Sequence, residues 1–170
     1  MSFLELAKAR YSCRKLTDKP IEPEKIERIL QAAIAAPTAK NLQRYTLWKI
    51  QSPEAFDKLK QATPYTFGSA LAIVVGAKKD GAFDRPFDNK NFAEIDAAIV
   101  ATHLMLAVQD EGLGTTWVGW FDAPKMQVLF PEMQGYELIA VFPIGYPAES
   151  AKPASRHAER RPLEEVVVEL

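Results

Sequence analysis

The chain has 170 residues, 48% of them hydrophobic, and a formal net charge of -1 at pH 7. That length supports one substantial core, and the near balance of charge excludes the sequence-wide positive field that holds a polyanion, so nucleic acid is not an expected partner. A single cysteine, Cys13, excludes an internal disulfide and a cysteine-rich metal site, and fits a reducing, cytoplasmic setting.

The first residues show no charged region followed by an apolar run, so no secretory signal is expected, and no apolar stretch is long enough to span a bilayer. Ser2 and Glu5 have the spacing of a capping box, predicting a first helix from Phe3 to about Arg10 that buries Phe3, Leu6 and Ala7. It runs into Arg10-Tyr11-Ser12-Cys13-Arg14-Lys15. Two guanidinium groups four residues apart, with a hydroxyl between them, can fork onto phosphate or ring carbonyl oxygens. Basic residues at a helix C-terminus also stabilise the helix dipole, so this stretch alone does not decide.

Pro23 suits the first turn of a second helix, in which Ile26, Ile29, Leu30, Ala33 and Ile34 share one face. Pro37 ends it, and Thr38 to Gln43 form a polar loop. Thr46 to Gln51 reads as a strand, Ser52-Pro53-Glu54 opens a helix to about Ala62, and Leu71 to Ala77 is a strand covered on both faces. Lys78 to Asn91, with Gly81 and Pro86, is a charged surface loop that orders against a partner or ligand. The longest helix runs from about Phe92 to Glu111 and is apolar around most of its circumference, as suits a fold centre or a subunit interface; Gly112 closes it. Thr115 to Phe121 is expected as a strand, Asp122 as the cap of a short helix through Leu129, and Glu137 to Ile144 as another strand. After a polar, basic tail, Val166-Val167-Val168 has strand propensity and is a candidate for pairing with another subunit. Two helices before any strand favour an α+β fold over α/β.

Four segments are candidates for one site: Arg10 to Lys15, Pro37 to Gln43, Trp117 to Trp120, and Arg156 to Arg161. There is no glycine-rich phosphate loop, dinucleotide fingerprint or metal-ligand spacing. His103 reads as a core or interface histidine, His157 as solvated, and Cys13 as a packing residue. Gly119 beside Trp117 and Trp120 lets backbone amides approach a flat ligand.

Five segments, in this order, resemble the nitroreductase family of flavoproteins: Arg10-Tyr11-Ser12-Cys13-Arg14; Ala36-Pro37-Thr38-Ala39-Lys40-Asn41-Leu42-Gln43; Gly112 to Gly119; Gly145-Tyr146-Pro147; and Arg160-Arg161-Pro162-Leu163-Glu164-Glu165-Val166. The resemblance covers almost the whole chain. It implies a single FMN-binding domain over residues 1–170, of α+β fold with a central mixed β-sheet flanked by helices. It further implies an intertwined homodimer that exchanges C-terminal strands and holds FMN at its interface. Arg10, Ser12 and Arg14 would hold the phosphate and ribityl end, with Arg160 and Arg161 closing from the tail, and Tyr11 takes a flavin-contact position. Pro37, Thr38, Ala39, Asn41 and Gln43 correspond to the loop reaching FMN from the other subunit. Trp117, Val118 and Gly119 pack on the ring, with the Gly119 amide a donor to ring N5.

The activity implied is transfer of hydride from NADH or NADPH through FMN to an electron-poor small molecule, such as a nitroaromatic or quinone, by a ping-pong mechanism, with no acid–base residue. A flavin carrier or sensor, and a narrow-substrate flavin dehalogenase or dehydrogenase, are the other readings. Thr116 stands where the family commonly has cysteine. The segment before the long helix is brief, so Lys78 to Asn91 is expected to cover the site or leave it open.

Overall fold

The computed structural model describes residues 1–170. Its elements follow the chain as α1 (Phe3–Ala9), α2 (Pro23–Ile34), β1 (Tyr45–Ile50), α3 (Pro53–Ala62), β2 (Leu71–Ala77), β3 (Asp84–Arg85), β4 (Lys90–Asn91), α4 (Ala93–Asp110), β5 (Gly114–Thr115), α5 (Ala123–Leu129), β6 (Glu137–Gly145) and α6 (Leu163–Val166). The architecture is α+β. Four strands in the order β1-β2-β6-β5 form one sheet, and β3 and β4 form a separate two-stranded ribbon.

Local chemistry places the helix starts. Ser2 and Glu5 cap α1 reciprocally, Ser52 Oγ accepts from Ala55 N at 3.2 Å, and Asp122 Oδ1 accepts from Lys125 N at 2.9 Å. Gly112 takes φ +71° just past α4, a conformation that costs a glycine nothing.

β2 is buried at every position, and its period-2 alternation divides the interior. Leu71, Ile73 and Val75 pack with Ile29 and Ala33 of α2 and Val100 and Leu104 of α4. Ala72 and Val74 pack with Phe56 and Leu59 of α3 and Met126 of α5. At Gly76, where the β2–β6 register shifts, a Cβ would stand 2.6 Å from the Trp48 ring, so the position admits only glycine without repacking.

Several expectations change. The strand pairings within the four-stranded sheet are antiparallel, and parallel pairing is confined to the single bridge Ser12–Thr115. The strand expected over Thr115 to Phe121 stops at Thr115. Next in its register stands Pro143, which has no N–H to give; its carbonyl accepts instead from Thr115 Oγ1 at 2.7 Å. The chain rejoins the sheet only at the Val118–Val141 bridge, with both hydrogen bonds at 3.0 Å.

α1 buries none of its residues within the chain, and Phe3 is 73% exposed. Val166 closes a one-turn helix, and Val167 and Val168 form no strand, because a strand needs a partner and none lies alongside. Lys78 to Asn91 is not featureless. It contains the β3–β4 ribbon, tied down by Lys79 to Glu94 at 3.1 Å and to Glu137 at 3.5 Å.

Candidate functional site

Two of the expected segments meet where the end of α1 faces the tail. Arg10, Ser12, Arg14, Arg156, His157 and Arg160 line a cavity of about 260 Å³. Arg10 is the C-cap of α1, with extended backbone and its N–H bonded to Leu6 O. The chain then runs beside the sheet: Cys13 N donates to Thr115 O at 2.9 Å, and the buried Cys13 packs so closely that a Cβ on Gly114 would lie 2.9 Å from its sulfur. Burial, and next the nearby Arg160, hold the Arg10 guanidinium below its ordinary pKa. Two like charges thus face one cavity that no carboxylate lines.

The tail is held there by residues that pattern reading passed over. His157 Nε2 lies 3.2 Å from Lys8 O, and its ring meets the edge of Tyr11 at 6.3 Å. His157 is therefore docked on α1 and only partly exposed. Tyr11, whose phenol is pushed up to about 12 by burial and then by its hydrogen bond with Cys13, braces the tail and does not line the cavity. Arg160 Nη1 donates to His157 O at 2.7 Å and Glu159 O at 2.6 Å. Arg161 is turned to Glu165 at 3.2 Å and lines none of this site. Arg156 does line it, and only its place in the basic tail signalled that.

A second cavity, of about 160 Å³, is lined by Arg14, Tyr65, Phe67 and the stretch Thr116 to Trp120. Val118 anchors this stretch through its two bonds to Val141, while Trp117 packs its edge on Phe142 at 5.2 Å. At Gly119 a Cβ would meet nothing within 4 Å, and the Gly119 N–H has no acceptor within the chain. The wall opposite comes from the loop between α3 and β2. Tyr65 stacks on Phe67 at 5.7 Å and meets Trp120 edge-on at 5.4 Å. Phe67 takes φ +53° and Leu16 N donates to its carbonyl at 2.8 Å. This loop, and not Lys78 to Asn91, covers the tryptophan segment; aromatic residues in an otherwise polar break were its only sequence signal.

A third cavity of about 580 Å³ shares Gly119 and Trp120 and extends to Lys60, Thr63 and Asp122. Thr63 Oγ1, buried, donates to Trp120 O at 2.9 Å and Asp122 N to Ala62 O at 2.9 Å, so this mouth is fixed to the end of α3.

Pro37, Thr38, Ala39, Asn41 and Gln43 line none of these cavities within the chain. Their loop is strained and held in place: Lys40, Asn41 and Gln43 have φ of +52°, +54° and +51°. Gln43 N donates to Thr38 Oγ1 at 3.1 Å, and Ala39 N donates to Oδ1 of the buried Asp96 at 3.0 Å. Asp96 Oδ2 has no partner.

A model of the nitroreductase family matches this chain over residues 7–67 and 53–146. The chain belongs to the nitroreductase family. A nitroreductase family protein from Clostridium difficile 630 is 38% identical, with a TM-score of 0.90 over 99% of this chain and 98% of its own. A Desulfovibrio desulfuricans protein, provisionally named a nitroreductase and solved in complex with FMN, is 26% identical, with a TM-score of 0.78 over 98% of this chain and 95% of its own. An Archaeoglobus fulgidus protein bearing the provisional name NADH dehydrogenase/NAD(P)H nitroreductase is 31% identical over 156 residues, covering 86% of each chain. In this nitroreductase family chain no helix is long and apolar enough to cross a membrane.

Proposed function

We propose that the chain is an FMN-dependent oxidoreductase, one domain over residues 1–170, that takes hydride from NADH or NADPH and delivers it to an electron-poor small molecule of the nitroaromatic or quinone kind in two alternating half-reactions. The observation that carries this reading is that Arg14 lines both the cationic cavity and the aromatic one, joining an anion site to a site for a flat ring. The residues fit FMN by their own chemistry. Arg10 and Arg160 repel one another until an anion stands between them, and a phosphate dianion supplies that charge at the cavity where Ser12 adds a hydroxyl. The unpartnered Gly119 N–H, on a backbone with room before it, is the donor offered to ring N5. When bound, FMN supplies the two-electron chemistry, accepting and returning hydride at N5.

The chain's own contribution is binding, orientation and access. The Val118–Val141 bonds fix the height of the Gly119 amide, Tyr65 and Trp120 form an aromatic wall, and no carboxylate or histidine lines the aromatic cavity to compete as a proton donor. A ping-pong order follows in this reading if the two substrates take turns against the Gly119 face that both neighbouring cavities share.

The strained Thr38–Gln43 loop, the exposed Phe3 and Leu163 and the apolar tail end support a homodimer in which Pro37, Thr38, Ala39, Asn41 and Gln43 reach the partner's flavin and residues 163–170 lie on the partner. Deleting residues 163–170 is expected to raise the dimer dissociation constant; an unchanged dimer on dilution, read by sedimentation, argues against tail exchange.

An anaerobic visible spectrum of the FMN-supplied protein tests the activity. The flavin band should bleach on addition of NADH or NADPH and recover when a quinone is added. No bound flavin at saturating FMN removes the cofactor from this reading. A flavin that binds but stays oxidised redirects it to a carrier.

A further inference from the structure

Beside the cationic cavity, and sharing Ser12, Arg14 and Ala154 with it, lies a groove of about 330 Å³ whose Lys15, Lys152, Ser150 and Ser155 the site described above does not include. Its walls are Ser12, Arg14 and Lys15 on one side and Ser150 to Ser155 of the tail on the other, with Lys152 among them. Ala148 N donates to Lys15 O at 3.0 Å and Lys15 Nζ reaches Ser150 Oγ at 3.5 Å, so the two sides are tied together at one end.

The charge balance of this groove is one-sided. Arg14, Lys15 and Lys152 form no ion pair, although seven other Lys and Arg residues of the chain do: Arg28, Arg44, Lys60, Lys79, Arg85, Arg156 and Arg161. No carboxylate lines the groove, and the remaining polar lining is hydroxyl, from Ser12, Ser150 and Ser155. Three unneutralised cations facing hydroxyl donors across a cleft make a site for a compact anion with several acceptor oxygens.

Its position selects among such anions. Arg14 also lines the aromatic cavity, so the groove and the site for a flat ring meet at that one side chain. The cavity of Arg10 and Arg160 already provides for the flavin phosphate on the other side of Ser12. Lys15 and Lys152 bring ammonium groups on flexible stems, which act as point charges and do not form a bidentate fork. They suit a terminal phosphate monoester whose approach is guided by charge.

We propose that this groove holds the 2′-phosphate of the reducing dinucleotide and makes the protein prefer NADPH over NADH. The inference rests on the flavin reading above. It assigns the preference to side chains of Lys15 and Lys152 and not to a backbone phosphate loop, which the chain lacks. The 2′-phosphate distinguishes the two donors by a near-dianion, the species for which the groove's unpaired cations are arranged.

Calorimetric titration of the FMN-loaded protein with 2′,5′-ADP and with 5′-AMP tests this without turnover. The first should bind at least tenfold more tightly than the second. In Lys15→Ala and Lys152→Ala that ratio should fall at least threefold each, with FMN retention unchanged. In steady state the KM for NADPH should rise in both variants while that for NADH stays the same. Equal affinities for the two nucleotides overturn the proposal. So do variants that release FMN, because the groove would then serve the flavin's own phosphate. If the unmodified protein takes up no FMN, the flavin reading fails by itself, and the same pair of titrations on the flavin-free chain still decides the groove.

Discussion

Two regions of this molecule meet their physical demands in opposite ways. Around β2, seven consecutive buried residues, six of them paired on both edges, pack on both faces, against α2 and α4 on one side and α3 and α5 on the other. Around Arg10, charge gathers in a cavity that no carboxylate lines: Arg160 opposes Arg10, Arg14 is held only by a 3.5 Å contact to Ser12 O, and Gly119 offers an N–H that nothing accepts. The first region spends its interactions on stability. The second leaves them open, and open valences of matching charge and shape are what a bound ligand completes.

That contrast is sharpened by asking which property each region controls. Leu104 is fully buried on α4 within the larger cluster, so Leu104→Ala should destabilise the fold by about 2 to 5 kcal/mol in urea unfolding, through lost transfer energy and the cavity left behind. A loss below about 1 kcal/mol would mean that the α4 face is less tightly packed than the strand alternation implies.

Arg10→Met should behave in the reverse way. A base whose folded pKa lies below its ordinary value is less readily charged in the fold than out of it, so the Arg10 charge opposes folding over the whole neutral range. The variant keeps the aliphatic stem, and its flavin-free melting temperature should stay level or rise. Its FMN affinity should fall by about 1.5 to 3 kcal/mol, the range for a hydrogen bond to a charged group. A variant that melts lower and still binds FMN as before would place Arg10 in the stabilising region.

Asp96 links the packed α4 to the strained loop and gives the smaller, more discriminating effect. It is buried at the first turn of α4 and its Oδ1 holds the amide of Ala39 in the strained loop. Asp96→Ala leaves that amide unpaired and should cost about 1 to 3 kcal/mol of stability. Asp96→Asn keeps an acceptor for Ala39 N and offers an NH₂ in place of the orphan Oδ2, so it should recover most of the loss. If asparagine is as damaging as alanine in thermal unfolding, the loop is held by the carboxylate's charge and not by the single hydrogen bond.

Much of this was legible before any coordinates. Helix caps at Ser2, Ser52 and Asp122, the turn at Gly112 and the apolar run Leu71 to Ala77 are local signals, and each marks an element boundary within one or two residues. Arg10, Ser12, Arg14 and Arg160, which the sequence offers as basic clusters at the two chain ends, line one cavity. Other readings failed where a partner had to be known. The β-branched run after Gly114 looks like a strand until Pro143 is seen opposite it. Lys78 to Asn91 is charged and exposed like a lid, yet it is tied to Glu94 and Glu137, and the aromatic wall comes from Tyr65 and Phe67.

The sequence by itself determined the caps, the alternation of β2, the α+β order of elements and the basic clusters at both chain ends, because each depends on residues near one another along the chain. Only the tertiary structure decided that His157 and Tyr11 dock the tail on α1, that Arg156 enters the site while Arg161 turns away, and that Arg14 joins a cationic cavity to an aromatic one. The contact that docks the tail, His157 with Lys8, joins residues 149 positions apart. Which of several similar arginines reaches the cavity is set by how the tail packs across α1, a property of the fold that no local pattern carries.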